Sequence, residues 1–536
     1  MNFRTLRFLP VFLIFAITAH AQTPSQVFPY SYQFYQKLDA DVYNKNTRFH
    51  SALRPYFLDD SVIARKADSI LNYGVDTSRK GWVMRTLFNK HLIDVKKEDY
   101  TAYVDFLPDF QIGTDSYNNK NTWINTRGFQ AGGTVGKKFS FYTSAFENQA
   151  EFARYYQEYV DSTHVVFGQA TDRKPKGKVK DWSYVTAVVS YTPNKYLNVS
   201  IGQEKTFIGD GYRSMLLSDF ASNYPFLRLT ANLGNVQYMA MWAAMQDPGS
   251  PQFSYDSGYR KKGGVFHYLD WNVNNRLSLG FFDAIIWAQK DSLGNRRGFD
   301  LSYANPIIFL RPLEFTSGSP DNAAIGLTAK YELFNKTAIY GQFFLDEFEA
   351  KSLFGGTGSY RNKWGLQLGL RGADLFKVER LNYLFEFNTA TPYTYTSRAR
   401  IINYANYNEP LAHSMGANFR EVLGILNYSY RRFGFQGQFN FALYGMDTEP
   451  TDHYGKNIFK PYTDATIRTG NFIGEGLKTD FSYAQGTVSY LLNPKYNLRI
   501  ELGGILRAET NSLRENKTSW ITFGLRSSFR SIYQDF

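Results

Sequence analysis

The chain contains no cysteine. Disulfides, thiolate metal sites and a lipidated N-terminal cysteine are therefore excluded. Beyond its first two dozen residues it also lacks any long apolar run. The mean hydropathy is −0.39, so membrane-spanning helices are excluded as well. Histidine is scarce, and His20, His50, His91, His164, His267, His413 and His453 are scattered without metal-ligand spacing. There is no GxSxG elbow, HExxH motif or Walker loop. Adjacent acids such as Asp59 and Asp60 read as helix capping. No catalytic residue, metal or cofactor is expected, and the chain reads as a non-enzyme. No Pro- or Ser-rich linker divides its 536 residues.

The first residues read as a secretory leader. Arg4 and Arg7 form a positive segment, Phe8 to Ile17 a short apolar run, and Ala19-His20-Ala21 a small-x-small cleavage site. The signal peptide is therefore 1–21, with mature chain from Gln22. The formal charge is +12, and losing the leader removes two arginines and no acids. A basic balance can point to nucleic acid, but an exported protein meets little of it. Outer-membrane lipid, lipopolysaccharide and acidic surface polysaccharide are the expected partners, although loop lysines can also be merely solvating.

Aromatic residues make up 18% of the chain. That is high for a soluble protein and expected where aromatic girdles mark two membrane interfaces. Residues 22–100 differ from the rest. DDSVIARKADSILNYG (59–74) has helical spacing, SYQFYQKLDADVY (31–43) offers a second short helix, and 22–100 reads as a periplasmic segment packed on the barrel mouth or plugging it. From about residue 101 the period becomes two. SYVTAVVSYTPNKYLNVSIGQEK (183–205) and DFSYAQGTVSYLLNPKYNLRIELGG (480–504) are hairpin signatures. About eighteen strands follow, beginning near 101, 122, 138, 182, 196, 225, 236, 263, 276, 324, 337, 362, 380, 419, 433, 480, 496 and 518. Short turns alternate with longer connections. The fold class is thus all-β: an antiparallel transmembrane barrel over 101–536 in the outer membrane, with both termini periplasmic. A large soluble sandwich or propeller is the alternative, and no blade repeat is visible.

Strand alternation separates two faces. Leu381, Tyr383, Phe385 and Phe387 oppose Asn382, Glu386 and Asn388; Leu366, Leu368 and Leu370 oppose Gln367 and Arg371; Ile500 and Leu502 oppose Arg499 and Glu501; Ile521, Phe523 and Leu525 oppose Thr522, Arg526 and Arg530. The lumen is therefore expected to hold Arg228, Arg371, Arg499, Arg526 and Arg530 with Glu204, Asp346, Glu386 and Glu501, either hydrated in an open pore or paired in a closed one. The final strand is expected to run to Phe536, a terminal aromatic of the kind that the barrel assembly machinery reads. Two connecting segments stand out. FIGDGYRSMLLSDFASNYPFLRL (207–229) supplies Tyr212, Arg213, Tyr224 and Arg228, and 394–418 supplies Tyr395, Arg398, Arg400 and Tyr404. Aromatic faces beside cations suit an acidic sugar; the plainer reading is loop packing. SYANPIIFLRPLEFTSGSPDN (302–322) is apolar enough that it should turn into the barrel.

GQEKTFIGDGYRSMLLSD followed by NYPFLRL resembles the Gly-rich stretch of Wzi-type capsule assembly barrels, the Ser-Leu-Leu-Leu-Ser pattern standing here as Ser214-Met215-Leu216-Leu217-Ser218. NPIIFLRPLEFTSGSPDNA, EFNTATPYTYTS and NYNEPLAHSMGANFRE resemble the Bacteroidota branch, whose members are called gliding motility protein RemB or Wzi-like capsule assembly protein. The resemblance implies an eighteen-stranded barrel with an N-terminal helical part, and a surface lectin for capsular or exopolysaccharide. The tryptophan-rich form of the stretch is absent: Asp210, Tyr212 and Arg213 stand instead. A gliding-motility barrel and a passive channel are the alternative functions.

Overall fold

The computed structural model describes residues 29–56, 61–76, 78, 81–174, 177–307, 320–347 and 358–536. The leader and most of 302–322 lie outside these residues. Eighteen antiparallel strands close into a barrel. They are β1 Tyr100–Asp115, β2 Lys120–Val135, β3 Phe139–Glu151, β4 Lys180–Asn194, β5 Leu197–Glu204 and β6 Tyr224–Asn232. Then come β7 Val236–Asp247, β8 Arg260–Asn272, β9 Leu277–Ala288, β10 Asn322–Phe334, β11 Thr337–Glu347 and β12 Lys363–Gly372. The wall ends with β13 Leu381–Ala390, β14 Phe419–Tyr430, β15 Phe433–Met446, β16 Leu477–Asn493, β17 Leu498–Thr510 and β18 Glu515–Arg526. Each begins within three residues of its expected start. Connections after even-numbered strands are short; most of the others are long. The barrel thus has a short-turn end and a long-loop end. No helix among the described residues is long and apolar enough to cross a membrane.

Cross-strand register explains the two faces. Gln367 pairs with Asn388 and Gln342, so three polar side chains share one inward row. Leu368 pairs with Phe387 and Gly341 on the outward row. Leu368, Phe385, Leu502, Ile521 and Phe523 are about half exposed, whereas Gln367, Glu386 and Asn388 are wholly buried. An isolated charge among lipid-facing residues is costly, and the alternation avoids it.

The wall closes where β18 meets β1. Trp520–Leu525 pairs with Phe110–Asp115. Lower on β1, Ile93–Lys96 pairs with Thr101–Val104 instead. The residues preceding the barrel thus complete its seam, so the wall draws on chain before residue 101. Between these ladders the seam is held by side chains. Asp105 accepts from the Leu92 N–H at 3.1 Å and lies 2.7 Å from His91 Nδ1, and Arg526 is paired to Asp109.

Helical turns α1 Tyr32–Tyr35 and α2 Asp39–Val42 enter the lumen at the short-turn end. Phe34, Tyr35, Leu38, Val42 and Tyr43 are buried there with Ile63 and Ala67 of α3 Ser61–Leu71. Leu53–Arg54 makes a two-residue ladder with Phe207–Ile208 inside the barrel. Helix α4 Trp82–Phe88 lies at the rim and buries none of its residues.

Two expectations are corrected. The last strand stops at Arg526 rather than Phe536, and Ser527–Phe536 turns into the lumen. Arg530, expected on that strand, therefore belongs to the inward tail, donating to Asn148 at 2.9 Å and Gln169 at 3.2 Å. The expected inward turn of 302–322 is not what its described part does. Tyr303 packs on the outer face, against Trp287 at 5.4 Å, and its carbonyl accepts from Trp242 Nε1 at 2.7 Å. Outward rings on β7 and β9 give Tyr303 a surface to cover without entering the barrel.

Leu368→Arg is expected to cost roughly 2–4 kcal/mol, and Leu368→Phe to be near neutral, by urea unfolding in lipid vesicles. Gln367→Arg should also destabilise, because Gln367 Nε2 donates to the Arg213 carbonyl at 3.0 Å and to Asn388 at 2.9 Å in space with no room for a longer side chain.

Candidate polysaccharide-binding surface

The segment 205–223, between β5 and β6, crosses the lumen. Its glycines permit close approach. Gly209 has φ 137°, and an added Cβ would meet the Gln342 amide. That amide donates to the Ile208 carbonyl at 2.9 Å, and Gln342 Oε1 accepts from the Met215 N–H at 2.7 Å. Glu386 accepts from the N–H groups of Tyr212 at 2.6 Å and Arg213 at 3.2 Å, and from Tyr340 Oη at 2.6 Å.

The connection 391–418 also folds inward. Tyr395 Oη donates to the Met215 carbonyl at 2.9 Å and Tyr404 Oη to the Leu216 carbonyl at 2.7 Å. The Ser218 N–H donates to the Leu411 carbonyl at 2.8 Å. Glu409, buried beneath it, accepts from Gly168 N at 2.7 Å and Ser222 N at 2.9 Å, and burial pushes its carboxyl up to about 7.

At the centre, Arg213 Nη2 lies 3.0 Å from Glu421 Oε1 and 3.0 Å from Asp535 Oδ2, all buried. Burial opposes the Arg213 charge, but Asp535 and Glu421 more than offset it and raise the guanidinium further. The Met415 N–H donates to His413 Nδ1, so Nε2 carries the proton given to Glu421 at 2.9 Å. Asp535 also accepts from Gln438 at 2.6 Å. Phe536 stacks on Phe167 at 4.1 Å and packs against Tyr156 and Tyr159 of α5 Arg154–Thr163.

Of the eight candidate ligand residues, Tyr212, Arg213, Tyr224, Arg228, Tyr395 and Tyr404 are buried inside the barrel. Tyr212, Arg213, Tyr395 and Tyr404 are buried because both connections fold inward, and Tyr224 and Arg228 because they stand on the inward row of β6. Arg400 is half-buried and bound to Asp247 at 3.2 Å and Asn408 at 2.8 Å. Only Arg398 is exposed.

The lumen charges form separate groups. Arg499 meets Glu501 at 2.7 Å, and Glu501 meets Arg526 at 3.1 Å. Arg371 grips Asp39 of the N-terminal segment through both carboxylate oxygens at 2.7 Å. Asp346 meets Lys363 at 3.3 Å. Glu204 accepts from its neighbour's N–H at 2.9 Å, and Arg228 donates to Thr206 at 3.2 Å.

An open external surface lies elsewhere, at the long-loop end of β8 and β9. A cavity of about 510 Å³ is walled by the rings of Phe253, Tyr259, Trp287 and Phe299 and by Arg260, Lys261, Lys290, Arg296 and Arg297. Among the described residues no acid lines it. Arg260 lies 4.0 Å over the Phe253 ring and Lys290 5.2 Å from the same ring. A bridge between Lys290 and Arg296 closes a tight turn that Asp291 caps by accepting from Leu293 N and Asn295 N, both at 2.9 Å. One cation is neutralised: Arg297 pairs with Asp321 at 2.6 Å. The runs Tyr259-Arg260-Lys261-Lys262 and Arg296-Arg297 carried this signal in the sequence.

No family model and no curated protein matches the chain. Among solved structures it is similar to Escherichia coli Wzi, an outer-membrane protein involved in group 1 capsule assembly and a carbohydrate-binding β-barrel. Identity is 12%, the match covers 95% of this chain and 100% of that one, and the TM-score is 0.55. Pseudomonas aeruginosa OprD matches at 9% identity over 79% of this chain and 94% of its own, with TM-score 0.42. Pseudomonas aeruginosa OccK5 matches at 9% identity over 80% and 97%, also at 0.42.

Arg213→Met would leave Glu421 and Asp535 buried without their cation, a loss of about 3–5 kcal/mol. The expected readout is a lower melting temperature of the heat-modifiable band and faster proteolysis of the C-terminal decapeptide.

Proposed function

We propose that the chain is an outer-membrane β-barrel, without enzymatic activity, that associates with acidic capsular or exopolysaccharide at the cell surface. The apolar outward belt calls for a lipid surround, and the asymmetry of short turns and long loops matches the topology of outer-membrane barrels with long loops outside. In that orientation the wall begins and ends on the periplasmic side, with Phe536 inside the lumen. Lipopolysaccharide and the barrel assembly machinery are the partners this location brings.

The observation that carries the reading is the pocket of rings and cations at the long-loop end. Flat aromatic faces can take the apolar face of a pyranose, while arginine and lysine meet its carboxylate or phosphate. The carbohydrate binding described for Wzi supports this choice. A passive channel is supported less well, since 205–223, 391–418, the N-terminal segment and the C-terminal tail all occupy the lumen. Steady conductance in planar bilayers is accordingly expected to be absent for the full chain.

Arg260→Gln, Lys290→Gln and Arg296→Gln together should reduce polysaccharide bound to whole cells. At about 0.5–1 kcal/mol per exposed charge the loss is roughly tenfold or more. Wild-type binding should weaken with added salt, since the Debye length falls to about 8 Å at physiological ionic strength. Undiminished binding by the triple variant would remove this pocket from the interaction. In a deletion strain, a colony-spreading defect with normal capsule retention would move the reading to gliding motility.

A further inference from the structure

The short-turn mouth holds a second cavity, of about 430 Å³, between the N-terminal helical segment and β14–β17. Seven cationic and three acidic residues line it. Some of the cations are satisfied: Lys336 pairs with Asp374, Arg499 with Glu501, and Arg432 donates to the Leu491 and Leu492 carbonyls. Lys37 and Arg431 have no acidic partner among the described residues. Asn427, buried on the inward face of β14, presents an amide Nδ2 that has no acceptor among the described residues. A buried donor left unmet costs roughly 1–3 kcal/mol, and here it lines a cavity that cations also line.

We propose that this cleft binds the phosphate group of a phosphate-bearing ligand, held by Lys37, Asn427 and Arg431. The three donors line the one cleft from the N-terminal segment, a wall strand and a short turn. The cavity exceeds a bare phosphate, and Phe34, Ile70, Tyr73 and Phe529 offer apolar surface to the rest of the molecule. Desolvation, with a smaller push from the nearby Arg499, lowers the Lys37 ammonium to about 8. A bound phosphate would raise it again. The ligand can be a soluble phosphorylated molecule or a phospholipid head group at the rim.

The absence of cysteine makes a clean reporter available. Ser69 is exposed and lines the cleft, so Ser69→Cys in the full chain gives a single alkylation site. Maleimide labelling of detergent-solubilised protein should slow several-fold with inorganic pyrophosphate, relative to sodium chloride at equal ionic strength. Nanodiscs containing phosphatidylglycerol, compared with phosphatidylcholine alone, test the lipid source. Slowing in the first comparison assigns a soluble ligand, and slowing only in the second assigns a lipid head group. Lys37→Gln with Arg431→Gln should abolish the protection; should that pair not fold, Arg431→Gln alone, in an exposed turn, should weaken it. A heat-modifiable band confirms folding. No slowing in either comparison, or slowing that survives these substitutions, overturns the proposal.

Discussion

A guanidinium withdrawn from water costs several kcal/mol unless its charge is met. Arg213 is met by carboxylates from two distant parts of the chain, Glu421 on β14 and Asp535 in the C-terminal tail. Its own position is fixed by Glu386 on β13 through the N–H of Arg213 and by Gln367 on β12 through its carbonyl. The crossing segment, the wall and the tail therefore share one buried charge, and none can leave without stranding another. The same logic holds lower in the barrel. Arg371 on β12 ties Asp39 of the N-terminal segment to the wall and donates to the Asp210 carbonyl of the crossing segment. Two arginines thus couple a closed wall to a packed interior, alongside the apolar cluster that fills the lumen.

The wall was legible because two constraints act on every residue in it. Side chains alternate across a strand, and a charge facing lipid is penalised. The sequence must therefore show period two with sharply opposed faces, as at Leu366-Gln367-Leu368. Turn residues such as Pro193-Asn194-Lys195 then set the strand boundaries. What enters the lumen obeys neither constraint. The chain leaves β18 at Ser528, which takes a left-handed φ of 71°, and a serine in an otherwise strand-like run gives no sign of that turn, so the sequence does not separate Ser527–Phe536 from β18. Side-chain partners draw it inward: Tyr533 donates to Asp219 at 2.5 Å, and the Tyr155 hydroxyl donates to the Gln534 carbonyl at 2.8 Å.

The binding candidates were misplaced for a related reason. Tyrosine and arginine beside glycine suit a solvent-facing saccharide site and a lumen packed with hydrogen bonds equally well, since both need a flat ring with a polar tip. Direction of folding decides between them, and it depends on pairs such as Tyr404 with the Leu216 carbonyl, separated by 188 residues. The cavity at β8 and β9 carried a plainer signal: basic residues at 260–261 and 296–297 with aromatics interleaved. Their convergence depended on the pairing of two strands and a turn capped by Asp291, which charge counting along the chain does not reveal.

The two mouths solve the same problem in opposite ways. At the long-loop end, cations stand outside the packed lumen, on a rim where water screens them, so they outnumber the acids beside them and still attract a polyanion at a distance. At the short-turn end, Lys37 is half-buried near Arg499, where desolvation and a neighbouring positive charge lower its own protonation. A weak, extended contact suits the exposed rim, because each saccharide charge contributes little and many add up. A localised, compact anion suits the buried cleft, because a single group can satisfy several donors at once. The basic balance of the chain is therefore divided between two surfaces with different dielectric surroundings, and a filled lumen keeps them apart.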